Sequence, residues 1–183
     1  MKEKLNILLI KFLKWRIKNL SDKRFLAILS VFIGCVVGLV ASLLKFMINF
    51  IEEGVREGIL EDYQNFVYFI FPMIGIALVI LFVKYFADGR LTQGVPFLLY
   101  SIGKRKGFIK TIHTYGHVIA SSLTVGFGGS VGLEGPSVVT GSALGSGISQ
   151  IFHLNPKRKI LLLGCGAAAA ISALFNSPIA AVI

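Results

Sequence analysis

The sequence predicts an all-α, polytopic integral membrane protein with broken and re-entrant helices. Three observations carry that prediction. The 183 residues are 55% hydrophobic and 15% charged, with a mean hydropathy of +0.77, whereas a soluble domain has roughly 45–50% apolar and about 25% charged residues. Apolar runs of membrane-spanning length recur along the chain, and glycine and proline interrupt them within residues 91–103 and 126–136. Disordered and collagen-like chains are excluded on the same composition. The formal charge of +10, from 19 Lys and Arg against 9 Asp and Glu, would suggest nucleic acid in a soluble protein. In so apolar a chain it fits cytoplasmic loops and anionic headgroups instead, and no nucleic-acid partner is expected. Cys35 and Cys165 cannot make a disulfide framework, and inside apolar runs each is expected to behave as a small buried hydrophobe.

The first element, residues 1–24, carries Lys11, Lys14 and Lys18 on one helical face and Leu5, Leu8, Leu9, Phe12 and Leu13 on another. That pattern fits a helix lying in the cytoplasmic headgroup region, or equally one packed on the protein's own cytoplasmic face. Residues 25–183 form the membrane domain. The run 25–46 has no charge before Lys45, and roughly 20 apolar residues suffice to cross a bilayer core. It is too long for a signal peptide, and no small-residue cleavage pattern follows Lys45. Residues 52–62 hold Glu52, Glu53, Glu57, Glu61 and Asp62 against Arg56 alone, so this stretch reads as an outward loop. Residues 66–82 make a second apolar run, followed by Lys84, Arg90, Lys104, Arg105, Lys106 and Lys110. Basic loops stay inside, which puts the N-terminus in the cytoplasm, and Lys157, Arg158 and Lys159 are expected there too.

Pro96 suits the first turn of a helix, where its missing N–H costs nothing, and Gly94 permits a tight approach before it. The apolar part after Pro96 is too short to span, so this helix reads as re-entrant. The stretch 126–136, GFGGSVGLEGP, has five glycines between two apolar runs, 109–125 and 137–152. It should unwind any helix, and Pro136 pre-sets the first turn of the next. The first N–H groups of a helix lack intrahelical partners and carry about half a positive charge between them. Two such starts, at Pro96 and Pro136, form potential anion sites made from backbone alone, and discontinuous helices of this kind build binding sites in transporters. Glu134 is the one ionisable residue between His117 and His153. A carboxylate deep in a bilayer costs about 3 kcal/mol on insertion scales, so something must answer its charge. The amides of the helix beginning near Pro136 can do so, with the carboxylate in the place a free anion would use. A plain capping role for Glu134 is the alternative.

Weaker signals point elsewhere than enzyme chemistry. His113 and His117 are spaced i, i+4, but Thr114 stands where a zinc-protease pattern needs Glu, so a polar pair inside the bundle or near its cytoplasmic end is expected and no metal site. No Gly-Lys-Ser/Thr follows the glycine run, and no Ser–His–Asp or Cys–His arrangement stands out, so the chain is not expected to be an enzyme. Gly34 and Gly38 form a GxxxG, and residues 164–170 are small; both read as sites of close helix packing.

Gly132, Leu133, Glu134, Gly135 and Pro136 match a G-[KR]-E-G-P motif apart from Leu133. Gln93, Gly94, Val95 and Pro96 are similar to the end of G-S-G-I-P, and residues 164–183 hold an Ala/Gly-rich run ending in Phe175, Asn176, Pro178, Ile179 and Ala180, similar to F-N-x-P-[LI]-A. On these residues the sequence resembles the CLC family of voltage-gated chloride channels and proton-coupled chloride exchangers. The resemblance implies that Glu134 is the gating and proton-transfer glutamate, and that Gly132, Leu133, Gly135 and Pro136 flank and open the anion-binding helix. It implies that Gln93, Gly94, Val95 and Pro96 form the second part of the anion site. It further implies chloride or another halide and protons as transported partners, no cofactor, a homodimer with one pore per subunit, and a plasma (inner) membrane location. Gln93 stands where the family has an anion-donating serine, which opens the alternative of a fluoride-selective exchanger. Leu133 replaces a basic residue. The family is built from two inverted halves, so a chain ending at Ile183 is expected to be an N-terminal fragment within the first repeat, either part of a longer transporter or a non-conducting truncated membrane protein.

Overall fold

A computed structural model of the chain describes residues 21–57, 64–87, 91–92 and 94–182. Most of the expected interfacial segment 1–24 and the whole of Gln93 therefore lie outside the described residues. Among these there are six helices and no strand: α1 (Asp22–Glu57), α2 (Gln64–Phe86), α3 (Val95–Arg105), α4 (Ile112–Gly126), α5 (Glu134–Ile151) and α6 (Pro156–Phe175). The all-α class and the helix breaks at both Gly-Pro stretches agree with the sequence.

α1 is 36 residues long, longer than the apolar run that predicts it. Its helix continues through Glu52 and Glu53 to Glu57, so the expected outward loop begins as helix. The reason is local: glutamate is a good helix former and no proline intervenes. Phe25, Leu29, Ile33, Val37, Leu44 and Ile48 are buried, a stripe at i, i+4 and i+7 spacing along one face. The opposite face is equally apolar and open, with Val31 69% and Leu39 72% exposed. α1 and α6 are long and apolar enough to cross a membrane, by length and composition.

Two contacts align α1 and α6 in parallel. Near their starts Arg158 pairs with Asp22. Further along, the Lys45 ammonium donates to the carbonyl of Ala173 at 3.0 Å, supplying charge and a donor to the carbonyls at the end of α6. α6 begins with Asn155, whose side chain accepts from the Arg158 amide at 3.2 Å, and with Pro156 in its first turn. The basic group Lys157, Arg158 and Lys159 thus occupies the first turn of this helix. Cations oppose the helix dipole there, and both the Asn155 cap and Asp22 offset that opposition.

α5 runs antiparallel to α6 with its backbone almost in contact. A Cβ at Gly141 would collide with the Gly166 carbonyl, one at Gly166 with the Gly141 carbonyl, and one at Gly145 with the Leu162 carbonyl. The close approach expected at Gly34 and Gly38 is absent: open space lies beside both, as beside Gly164. Ile33 and Val37 carry the packing on that part of α1, and their branched side chains hold the neighbouring helix away. Cys35 is exposed rather than buried, because it lies off the buried stripe, and Cys165 is half-buried with its thiol 3.5 Å from the Ser30 hydroxyl.

The link between α3 and α4 is pinned to α5 through one buried hydroxyl. Ser146 Oγ donates to the Gly107 carbonyl at 2.7 Å and accepts from the Ile109 amide at 3.1 Å and from Gln150 Nε2 at 3.0 Å. With Phe97, Leu98, Ile109, Val139, Ala143 and Leu163 packed around this level, α3 is held against α5 despite its short length.

Candidate functional site

α3 and α5 both start without a capping side chain. At α5, Leu133 is the N-cap residue with no side-chain cap bond, and Glu134 opens the helix. The Ser137 amide already reaches the Leu133 carbonyl at 3.0 Å. Pro136 has no N–H, so the amides of Glu134 and Gly135 are left without an intrahelical acceptor. At α3, Gly94 is the N-cap residue with φ 87°, again with no side-chain cap bond, and Val95 and Pro96 make the first turn. A φ of this sign is open to glycine and strained for other residues.

The two starts meet. A Cβ built on Gly135 would stand 3.9 Å from the Cα of Gly94. Each helix start carries about half a positive charge, so their juxtaposition is repulsive until an anion sits beside both. Backbone amides facing such a point form an anion site without further machinery. Of the residues predicted for this site, Gly94, Val95, Pro96, Gly132, Leu133, Glu134, Gly135 and Pro136 lie on these two starts. Gln93 is outside the described residues.

Glu134 is exposed in this chain. Its Oε2 lies 3.1 Å from where a Gly132 Cβ would be, so the carboxylate folds back over the glycine that precedes Leu133. Among the described residues it makes no hydrogen bond or ion pair. Leu133 is half-buried and packs beside Leu44, Ile48 and Val118, an apolar role that fits its departure from a basic residue. Pro136 and Ser137 are buried, which fixes the first turn of α5 behind the exposed Glu134.

A second feature is not announced by the sequence. A cavity of about 760 Å³ opens among the end of α2, the body of α3 and the start of α4, with Thr92, Pro96, Tyr100, Arg105, Lys110 and His113 among its lining residues. Arg105 stacks over the Tyr100 ring at 5.5 Å. The basic residues of this region read in the sequence as orientation signals. Their convergence with two tyrosines and a histidine depends on how α3 folds back, and no local pattern encodes that. His113 and His117 are buried and hydrogen-bonded, Nδ1 to Nε2, at 3.2 Å, in keeping with the polar pair expected from their spacing.

Comparison with known proteins identifies the family. The family model described as voltage gated chloride channel matches residues 75–183, which contain both helix starts and all of α3–α6. The chloride channel protein CLC-e of Arabidopsis thaliana is 38% identical over 73 residues, 40% of this chain. The chloride channel protein CLC-f of the same plant is 36% identical over 73 residues, again 40% of this chain. The matched stretch covers 9% of each plant protein. The chain belongs to the voltage gated chloride channel family.

Proposed function

We propose that this chain supplies part of an anion pathway across a membrane, transporting chloride as a channel or in exchange for protons, with Glu134 as its gate. The observation that carries the reading is the approach of two uncapped helix starts, so near that a Cβ built on Gly135 would stand 3.9 Å from the Cα of Gly94, with the carboxylate of Glu134 on one of them. Ionised, that carboxylate is attracted to the paired starts and competes with chloride for the same amides. Protonated, it loses the charge–dipole attraction, and the amides are left to the anion. The apolar outer face of α1 and the length of α1 and α6 support insertion in the bilayer. The basic ends of the helices support a cytoplasmic N-terminus in a plasma (inner) membrane. Gly94, Val95, Pro96, Gly132, Leu133, Gly135 and Pro136 frame the anion, and the complete transporter is a homodimer with a second inverted half closing each pore.

The test is Glu134→Gln in the full-length protein reconstituted in liposomes. Anion flux that no longer depends on pH, with proton movement abolished, is the expected outcome. Unchanged gating and unchanged proton coupling would remove Glu134 from the mechanism. Because Gln93 stands at the family's serine position, the same liposomes should be assayed with fluoride against chloride. A strong fluoride preference would assign the protein to the fluoride-selective branch.

A further inference from the structure

We propose that the cavity beside α3 is a binding site for the phosphate headgroup of an anionic membrane lipid, held between Arg105 and Lys110; this goes beyond the anion pathway and rests only on insertion of the chain in a bilayer, not on Glu134 as a gate. The cavity has about 760 Å³, far more than a bare halide fills, and its lining mixes two chemistries. Phe86, Ala87, Phe97 and Ile112 are apolar, whereas Arg105, Lys110, Thr92, Tyr100 and Tyr115 bring hydrogen-bond donors. No carboxylate is among the described lining residues, and neither Arg105 nor Lys110 is in an ion pair among the described residues. Two unanswered cations beside one concave space concentrate anions there.

The two cations are held in place by the backbone on either side of a pinned turn. Between them, Gly107 and Ile109 are bonded to Ser146 of α5. The Arg105 carbonyl accepts from the Phe108 amide at 2.9 Å, and the Lys110 carbonyl accepts from the His113 amide at 3.1 Å. The Arg105 guanidinium lies over the Tyr100 ring, 5.5 Å from its centroid. Stacking uses the face of the guanidinium and leaves the N–H donors along its edge. That planar fork matches the several oxygens of a phosphate, whereas a halide offers it a single point. α3 has 11 residues, about 15 Å at the rise of a helix, and Arg105 stands at the end away from Gly94. The phosphate position is therefore separate from the paired helix starts.

The setting favours a lipid as the source of the phosphate. Phe86 is 72% exposed at the end of α2, and Tyr100 and Tyr115 are 52% and 49% exposed. Aromatic side chains gather at the membrane–water boundary, and Lys84 in the last turn of α2 adds a cation there. A mouth of this kind opens at headgroup level. Its apolar lining suits the glycerol and first methylenes of a lipid while the cations take the phosphate. On the orientation proposed above it faces the cytoplasmic leaflet, where anionic lipids lie and where basic pockets between membrane helices take up their headgroups.

The test is lipid binding to the full-length protein in detergent, with short-chain phosphatidylglycerol as the probe, read by native mass spectrometry and by the thermal midpoint. The wild-type protein is expected to retain phosphatidylglycerol and to melt later in its presence, and to do neither with phosphatidylcholine. Arg105→Gln and Lys110→Gln should each weaken binding about fivefold or more, the effect of one basic residue at a membrane surface. Lys157→Gln removes an exposed cation from the first turn of α6, outside the cavity, and should leave binding unchanged. Size-exclusion profiles of the variants report folding separately. Glycerol 3-phosphate, which lacks acyl chains, should bind about tenfold more weakly, the worth of two buried methylenes; equal binding overturns the lipid as the source. Wild-type affinity in both cavity variants, or an equal loss in Lys157→Gln, shows general charge attraction and overturns the site. A wild-type protein that ignores phosphatidylglycerol, as when another part of the full chain covers the cavity, overturns it too. None of these readouts involves transport, so they stand or fall apart from Glu134→Gln.

Discussion

Glu134 opens α5 with its carboxylate 3.1 Å from where a Gly132 Cβ would stand, so the space over Gly132 is part of how the acid is held. Gly132→Ala should displace the carboxylate and change the pH at which anion flux turns on, with the fold intact; a pH–flux profile in liposomes checks it. Gly94 is under a second constraint, since its φ of 87° disfavours any side chain by about 1 kcal/mol or more. Gly94→Ala should therefore shift the start of α3 and weaken anion binding more than it lowers thermal stability, as calorimetric anion titration against a melting curve would show. Lys45 acts at long range in sequence, donating to the Ala173 carbonyl. Lys45→Met removes that donor and should cost about 1–2 kcal/mol, read as an earlier unfolding midpoint in detergent. The position of Glu134 at a helix start was visible from the sequence, as a lone acid just before Pro136. The direction of its carboxylate was not, because a rotamer answers to neighbours in space. The partner of Lys45 was hidden for the same reason, 128 positions along the chain.

Among the elements, the helix breaks were the most legible part. Pro96 and Pro136 each fall inside the first turn of a helix, and the glycines from Gly126 onward end α4. Backbone chemistry fixes such boundaries locally, so the sequence suffices to place them. The end of α1 was misread because charge was taken as the signal of a loop, whereas glutamates continue a helix readily when no proline intervenes. The small residues of α1 misled for a different reason. Gly34 and Gly38 permit a close neighbour but do not supply one, and the stripe of Phe25, Leu29, Ile33 and Val37 decides where α6 lies. α6 itself starts with three basic residues against its dipole, so its cap should matter. Asn155→Ala should lower stability by about 1 kcal/mol, and Asp22→Asn by a few tenths up to about 1 kcal/mol, as expected of an exposed pair. Denaturant titration of both variants orders the two contributions, with the cap expected to be the larger.

Across the whole molecule, α5 and α6 form the unit on which the site stands. Gly141, Gly145 and Gly166 leave no room for a Cβ, so Gly141→Ala should destabilise by about 1–3 kcal/mol, the usual cost of overpacking; a loss of folded protein on size-exclusion in detergent checks it, and Gly164→Ala, with open space beside it, is the matched control. The membrane class and the family were readable from composition and from the motifs around Glu134 and Asn176. The cavity lined by Tyr100, Arg105, Lys110 and His113 was not, since it exists only where the end of α2, the body of α3 and the start of α4 converge.

The reciprocal seating of Gly141 and Gly166 has a mechanical consequence. Each carbonyl occupies the space that a methyl group on the other would need, so the two rods mesh tooth to tooth with no slack to absorb a displacement. Close-packed contacts of this kind transmit strain rather than damp it. A shift at the end of α6, near Asn176, is therefore passed directly to the neighbouring first turns of α5, which carry Glu134.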